Sequence, residues 1–427
     1  MTQRLGLVAL IALALRLLAY AWVGPGPFGP DGPGALAAVQ LGGHPYPLHP
    51  LLIGLVGGPR LLSVLAGTLT AVCAGLLGRQ LGLGISGPGL AVAAAPLMLY
   101  PSALAGGDAA ALGVAAVALV QARPRPLLAG LLFGTSLMVK PVTFPLILPL
   151  AALNPWTLLT AVPALALPAL GPLIRPKPAA GLLGSWWLAS NGAPAFPDLA
   201  LGFKRMVELP FWTGHPVMGA LAAIGCGRAW RRWLVAGAAM AAVWAVLSVV
   251  GDAARPRYIA AASLPLALLA GGALRRVPPL SLGFAWPALG VISAVAAVRA
   301  LEEDLPPRPV VPFPAVDAGQ EYLDSGVCGA SELRGLAIEL AATLPQGAEV
   351  DVLRLRDGRD GELRWPLLSA RPDIRVRVVS GTEDIGPLYV GPANPRRCAT
   401  ALVDPGEEAL MHAHSTPGEG VFGVLRR

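Results

Sequence analysis

The 427-residue chain is 55% hydrophobic and only 13% charged, with a mean hydropathy of +0.62. That leaves too little charged surface for a soluble enzyme of this size and far too much apolar content for a disordered chain. The 52 glycines and 44 prolines follow no triplet period, which excludes collagen-like fibres and leaves a helical protein that crosses a bilayer several times.

Charge divides the chain in two. Residues 1–301 hold 19 Lys and Arg but only five acids (Asp31, Asp108, Asp198, Glu208 and Asp252), a net +14; residues 302–427 hold 13 Lys and Arg and 20 acids, a net −7. The basic excess is spread over short loops, a pattern of membrane orientation and not of nucleic-acid binding.

A crossing helix needs about 20 mostly apolar residues. Such stretches fall near 5–23, 60–82, 85–104, 107–121, 127–139, 142–153, 157–174, 216–228, 233–250, 257–274 and 280–300, which makes eleven spans. Prolines inside several of them (Pro96, Pro145, Pro149, Pro163, Pro168) are tolerated where neighbouring helices satisfy the freed backbone groups. The 127–153 stretch reads as two short spans meeting at Lys140-Pro141. The first span is retained: Gly24-Pro25-Gly26-Pro27 is a poor signal-peptidase context. Eleven spans put Arg4, Arg79, Arg123, Arg125, Arg228, Arg231, Arg232, Arg275 and Arg276 on one side and all five acids on the other. The positive-inside rule makes the first side the cytoplasm.

Two long segments, 24–59 and roughly 175–215, then form outer loops; the second carries Trp186, Trp187, Phe196, Phe211 and Trp212, which fit an aromatic belt better than a substrate platform. The expected organisation is a transmembrane unit (1–301), a proline-rich linker (302–314) and a small α/β extracytoplasmic unit (315–427). In the tail, 331–344 has helical spacing, and 350–355, 374–379, 388–390 and 421–425 read as strands. Cys73 and Cys226 lie in spans as packing residues, whereas Cys328 and Cys398 are a candidate disulfide. His412 and His414 read as loop residues, and no Cys/His cluster has zinc spacing.

An ionisable group near a bilayer is a functional candidate, with snorkelling at the interface as the bland alternative. Asp31 sits in a Gly29-Pro-Asp-Gly-Pro33 turn, followed by Gly42-Gly43-His-Pro-Tyr-Pro-Leu-His-Pro50 and Arg60-Leu-Leu-Ser-Val-Leu-Ala-Gly67. Later come Tyr100-Pro101, Asp108, Gly130-Leu-Leu-Phe-Gly-Thr-Ser-Leu-Met-Val-Lys-Pro141, and Arg255-Pro-Arg-Tyr258 leading into Ser263-Leu-Pro265. With Arg16 late in the first span, this ordered set, over residues 5–300, resembles the GT-C glycosyltransferases, in the branch of protein O-mannosyltransferases and lipid A aminoarabinose transferases. Two departures stand out. The family commonly has Asp-Glu where this chain has Asp31-Gly32, and its His-Pro-Pro-Leu motif is reduced to His49-Pro50-Leu51.

The resemblance implies a multi-pass protein of a bacterial inner membrane, N-terminus cytoplasmic and tail outside, that moves a sugar from a polyprenyl-phosphate donor to a lipid, glycan or protein acceptor with inversion. On that reading Asp31 is the catalytic base, and Lys140, Arg255, Arg257, Tyr258 and His49 hold the donor phosphate. Asp108 serves the acceptor or a divalent cation, the one cofactor left open, or simply caps its helix. Asp31 also suits a backbone-bonding turn, and Lys140 suits a structural pair with Asp108. Arg16 suits bonding to carbonyls or to an outer-loop acid better than to substrate. A transporter would place ionisable groups at the midplane in inverted repeats, and no such repeat is visible. A non-catalytic relative with a partner-binding outer unit is the other alternative, kept open by the missing Glu.

Overall fold

Runs of Ala and Leu, strong helix formers, punctuated by Pro and Gly, fold as a helical bundle in the computed structural model. It describes residues 2–23, 48–103, 106–164, 199–212, 215–250, 256–274, 330–353, 363–364, 367–368, 370–379, 388–392 and 422–426. The helices are α1 (Thr2–Val23), α2 (Leu48–Val56), α3 (Pro59–Gln80), α4 (Ser86–Ala94), α5 (Pro96–Ala103), α6 (Asp108–Gln121), α7 (Pro126–Val139), α8 (Ile147–Leu153), α9 (Leu158–Ala164), α10 (Leu199–Trp212), α11 (His215–Cys226), α12 (Trp230–Val250), α13 (Pro256–Ala273) and α14 (Ala330–Thr343). Short 3-10 turns, Pro141–Leu146 and Pro155–Thr157, lead into α8 and α9. Proline opens α3, α5, α7 and α13, where its missing N–H has no helical acceptor to lose.

The bundle core is built from small side chains, Ala71, Ala74, Ala93, Ala115, Ala239 and Ala262 among them. Helices can therefore approach at backbone distance, as transmembrane helices do. Gly271 of α13 is the clearest case: an added Cβ would meet the backbone of Gly87 and Pro88. The outside is as apolar as the inside. Leu61, Leu65 and Leu69 stand exposed along one face of α3, as do Leu7, Leu10, Leu17 and Leu18 on α1 and Leu127, Leu128 and Leu131 on α7. Stripes of this length facing outward require an apolar solvent. Thr2–Ala21 and Pro59–Gln80 are each long and apolar enough to cross a bilayer.

Among the described residues most expected spans coincide with helices. The 142–153 span, however, opens as the 3-10 turn Pro141–Leu146 and is α-helical only over Ile147–Leu153, and of the 157–174 span only Leu158–Ala164 is described as helix. There are three further differences. The 85–104 span is two helices, because Pro96 lacks the N–H that would carry α4 onward, and α5 starts there. The first outer segment contains α2, whose Ile53 is buried in an apolar cluster with Leu62, Ala66, Ala111, Val139 and Val142 between α3 and α7. Part of the second outer segment is α10, which lies along α12: Trp244 Nε1 donates to Leu199 O at 3.1 Å, and Gly202 sits against Ser248. The expected break at Lys140-Pro141 is present, since a residue before proline avoids the helical region. The 280–300 span, the 302–314 linker, the aromatics at 186, 187 and 196, Cys328, Cys398, His412 and His414 lie outside the described residues.

Arginines tie one end of the bundle together. Arg123 donates to Gln80 O at 2.7 Å, and Arg232 donates to Leu81 O, Gly82 O and Gly225 O at 3.0, 3.3 and 3.2 Å. These arginines satisfy carbonyls left open at helix C-termini.

In the tail, α14 accompanies a four-stranded sheet, β1 (Glu349–Leu353), β2 (Arg375–Val379), β3 (Leu388–Pro392) and β4 (Phe422–Arg426), in the order β2-β1-β3-β4. β1 pairs in parallel with β2 and β3, and β4 runs antiparallel to β3. Ala337 and Leu340 of α14 are buried with Val350, Val352, Leu363, Leu367 and Ile374. The expected strands match the observed ones to within a few residues. Alternation of apolar and charged residues needs no distant information to be read.

Asp351, buried, faces Arg377 directly across the β1–β2 pair, and the two form a bidentate bridge with both bonds at 2.7 Å. Asp351→Asn is expected to destabilise this sheet by about 1–3 kcal/mol, the worth of charge-assisted bonds with one partner half exposed. Faster amide exchange confined to β1 and β2 in the full-length protein is the readout. At the end of α14, Arg371 donates to Ala341 O, Leu344 O and Pro345 O and is gripped by Asp373, which also accepts from Gly347 N. The Arg371 bonds, then the Gly347 amide, hold the Asp373 carboxyl well below its usual range. A depressed carboxylate contributes stability above the unfolded pKa of about 3.9, and this is lost as pH falls toward the folded value. Helix α14 is therefore expected to loosen at its C-terminus below about pH 4, and Asp373→Asn to remove that pH dependence, as followed by hydrogen exchange.

Candidate functional site

The polar groups of the bundle converge at the end opposite the arginine ties, where α1, α5 and α7 finish and α3 and α6 begin. Asp108 opens α6 and Lys140 closes α7. Because Pro141 forces Lys140 into extended backbone (φ −167°, ψ 133°), its side chain leaves the helix axis and meets Asp108, Nζ to Oδ1, at 2.8 Å. Both side chains are largely buried, 13% and 9% exposed. An ammonium and a carboxylate this far from water attract strongly, and separating them leaves an uncompensated charge.

His49, from α2, is also buried, its ring packed on Gly107 beside Asp108; a Cβ at 107 would lie 3.2–3.4 Å from the ring. Arg60, at the start of α3, is buried, donates to Tyr20 O at 3.1 Å and stacks its guanidinium 4.3 Å from the Tyr20 ring centroid. Ser63, one turn on, shares its hydroxyl hydrogen between Pro59 O at 3.1 Å and Gly106 O at 3.3 Å, and so ties α3 to the turn that presents Asp108. Behind Lys140, the Ser136 and Thr143 hydroxyls share a 2.9 Å hydrogen bond across the break. Helix α13 packs against the 3-10 turn that follows Lys140 and against α5, and its far end lies at Gly87, so its first turn, with Arg257 and Tyr258, starts at the Asp108–Lys140 end.

Of the residues expected from the sequence, Asp108, Lys140 and His49 come together, with the backbone of Arg257 and Tyr258 at the same end. Asp31 and Arg255 lie outside the described residues, as do the side chains of Arg257 and Tyr258. Arg16 bonds carbonyls, the first of its two expected partners. Ser63 stands in the Arg60–Gly67 motif of the resemblance, whereas Ser102 and Thr143 give no sign in the sequence, since one hydroxyl among many in an apolar stretch carries no signal of its own. The position of Arg60 at the mouth of a long apolar span was such a signal. Among the described residues no group of three or more His, Cys, Asp or Glu could hold a metal ion.

No family model and no curated protein sequence matches the chain. Solved structures do. The crystal structure of ArnT from Cupriavidus metallidurans bound to undecaprenyl phosphate superposes with a TM-score of 0.58 at 17% identity, covering 100% of this chain and 98% of that one. The same protein in the apo state gives 0.54 at 15% identity, covering 98% and 97%. At this identity the likeness is one of fold, and it extends over the full length of both chains.

Proposed function

We propose, from the premise that this chain has the GT-C fold of ArnT and is a multi-pass helical membrane protein, that it is an inverting glycosyltransferase using a polyprenyl-phosphate sugar donor at the outer face of the membrane. The observation that carries the reading is the buried Asp108–Lys140 pair at the end of the bundle where α13 begins. A buried ammonium at a bundle end suits a lipid-borne phosphate, and the reading is supported by the ArnT structure of the same fold, which is bound to undecaprenyl phosphate.

In the proposed reaction the Asp31 carboxylate takes the proton of an acceptor hydroxyl as its oxygen attacks the anomeric carbon. The bond from that carbon to the phosphate oxygen breaks, its electron pair leaves on the phosphate, and polyprenyl phosphate is released. Negative charge grows on the departing oxygens, where Lys140, with Arg255 and Arg257 as expected from the sequence, stabilises it. His49 and Tyr258 add hydrogen bonds. Asp108 holds Lys140 aimed until the phosphate arrives, so the two anions share one cation. The tail is taken to be an outer unit beyond the linker.

The test is direct. Purified protein is incubated with labelled polyprenyl-phosphate sugars and a membrane extract. Transfer of label to an extract component, with release of polyprenyl phosphate, is expected; absence of transfer from every such donor, with no binding of undecaprenyl phosphate, refutes the assignment.

A further inference from the structure

The third apolar segment is broken between α4 and α5, and Arg16 is bonded to both halves. Its Nη1 donates to Ala93 O at 3.3 Å, at the end of α4, and to Ala12 O of its own helix at 3.1 Å; its Nε donates to Ser102 Oγ at 3.2 Å, in the last turn of α5. Ser102 in turn donates to Met98 O at 3.1 Å. The guanidinium is fully buried. Space for it is kept by Gly67 of α3, where any Cβ would run into the Arg16 side chain and the Ser102 hydroxyl. A helix interrupted by proline exposes carbonyls at the break and is free to bend there unless another group bonds them. One planar guanidinium with several fixed donors can hold both halves at a set angle, which a single-point lysine cannot.

The consequence lies a few residues on. Only two residues, outside the described ones, separate the end of α5 at Ala103 from Gly106-Gly107-Asp108, and the Gly106 carbonyl accepts from Ser63, so a change in the angle of α5 has little chain in which to be absorbed before Asp108. We infer that Arg16 is a positioning residue, a buried staple across the α4–α5 break that seats Asp108 on Lys140 and so sets the phosphate-binding geometry of the site. The effect on phosphate binding rests on the proposed function; the effect on the pair does not.

Lysine acylation read by mass spectrometry on the full-length protein separates the two. Exposed Lys204 is the internal standard, and buried Cys73 and Cys226 report on the rest of the bundle through maleimide labelling. In Arg16→Met, acylation of Lys140 relative to Lys204 is expected to rise about tenfold, the scale of losing one or two buried hydrogen bonds, with Cys73 and Cys226 still protected. Ser102→Ala, which removes one leg of the staple, is expected to give a smaller rise, and Arg16→Lys to recover part of the protection. Unchanged Lys140 reactivity in Arg16→Met and Ser102→Ala overturns the inference. So does exposure of Cys73 and Cys226 in both, because Arg16 would then serve the whole fold.

Affinity for added undecaprenyl phosphate supplies the functional arm. Arg16→Met is expected to weaken binding in the native background and to have no further effect in Lys140→Met, since both act through one cation; independent, multiplying losses contradict the link. If the unaltered protein binds no undecaprenyl phosphate, the proposed function fails, and the acylation result still decides the staple.

Discussion

Asp31→Asn is expected to abolish sugar transfer, a loss of about 10²–10⁴-fold or more for removal of a positioned general base, while the protein inserts and binds undecaprenyl phosphate normally. The amide keeps the size and turn-forming ability of the carboxylate, so a purely structural role in the Gly29–Pro33 turn would survive the change. On the proposed reaction, the change removes the carboxylate's charge and with it the ability to take the acceptor's proton. A turnover assay with the donor at saturation reads the difference, and normal turnover would remove Asp31 from the chemistry. The residue after Asp31 is Gly32, so this carboxylate has no acidic neighbour in sequence to share or replace its task.

Lys140→Met is expected to reduce transfer by about 10²–10³-fold, as removal of one charge stabiliser commonly does, and to weaken undecaprenyl phosphate binding. It also leaves Asp108 as a buried carboxylate without its ammonium, at a cost of about 3–5 kcal/mol. The two effects can be separated. In Asp108→Asn/Lys140→Met neither charge remains, so thermal stability should return toward that of the native protein. Phosphate affinity and turnover should not. Recovery of activity in the double variant would make the pair purely structural and refute the role given to Lys140.

Much of the fold was legible along the chain. Continuous apolar runs, prolines at helix starts, and alternation in the tail are local signals, and among the described residues most of the helices and all four strands they mark lie within a few residues of the expected bounds. The break at Lys140-Pro141 was legible for the same reason: proline restricts its predecessor whatever surrounds it. Helix α2 was not. Leu48–Val56 is short and starts among prolines, and what makes it a helix is the groove between α3 and α7 that buries Ile53.

The candidate site divides along similar lines. Sequence alone marked Asp108 and Lys140 as costly groups in an apolar context, because a charge near a bilayer needs a reason to be there, and His49 entered through the resemblance of its His-Pro-Leu motif. Whether Lys140 met Asp108, and that Arg16 would bind Ala93 and Ser102 while Gly67 made room, was decided only by packing. Hydrogen bonds of the Arg16 kind join residues 77 and 86 positions apart. Their geometry depends on helix crossings that no local pattern encodes. Composition and periodicity determined that this chain lives in lipid as a bundle with an appended sheet; the tertiary structure determined which of its few charges are neighbours, since only close approach of small-residue faces brings distant polar groups within bonding reach.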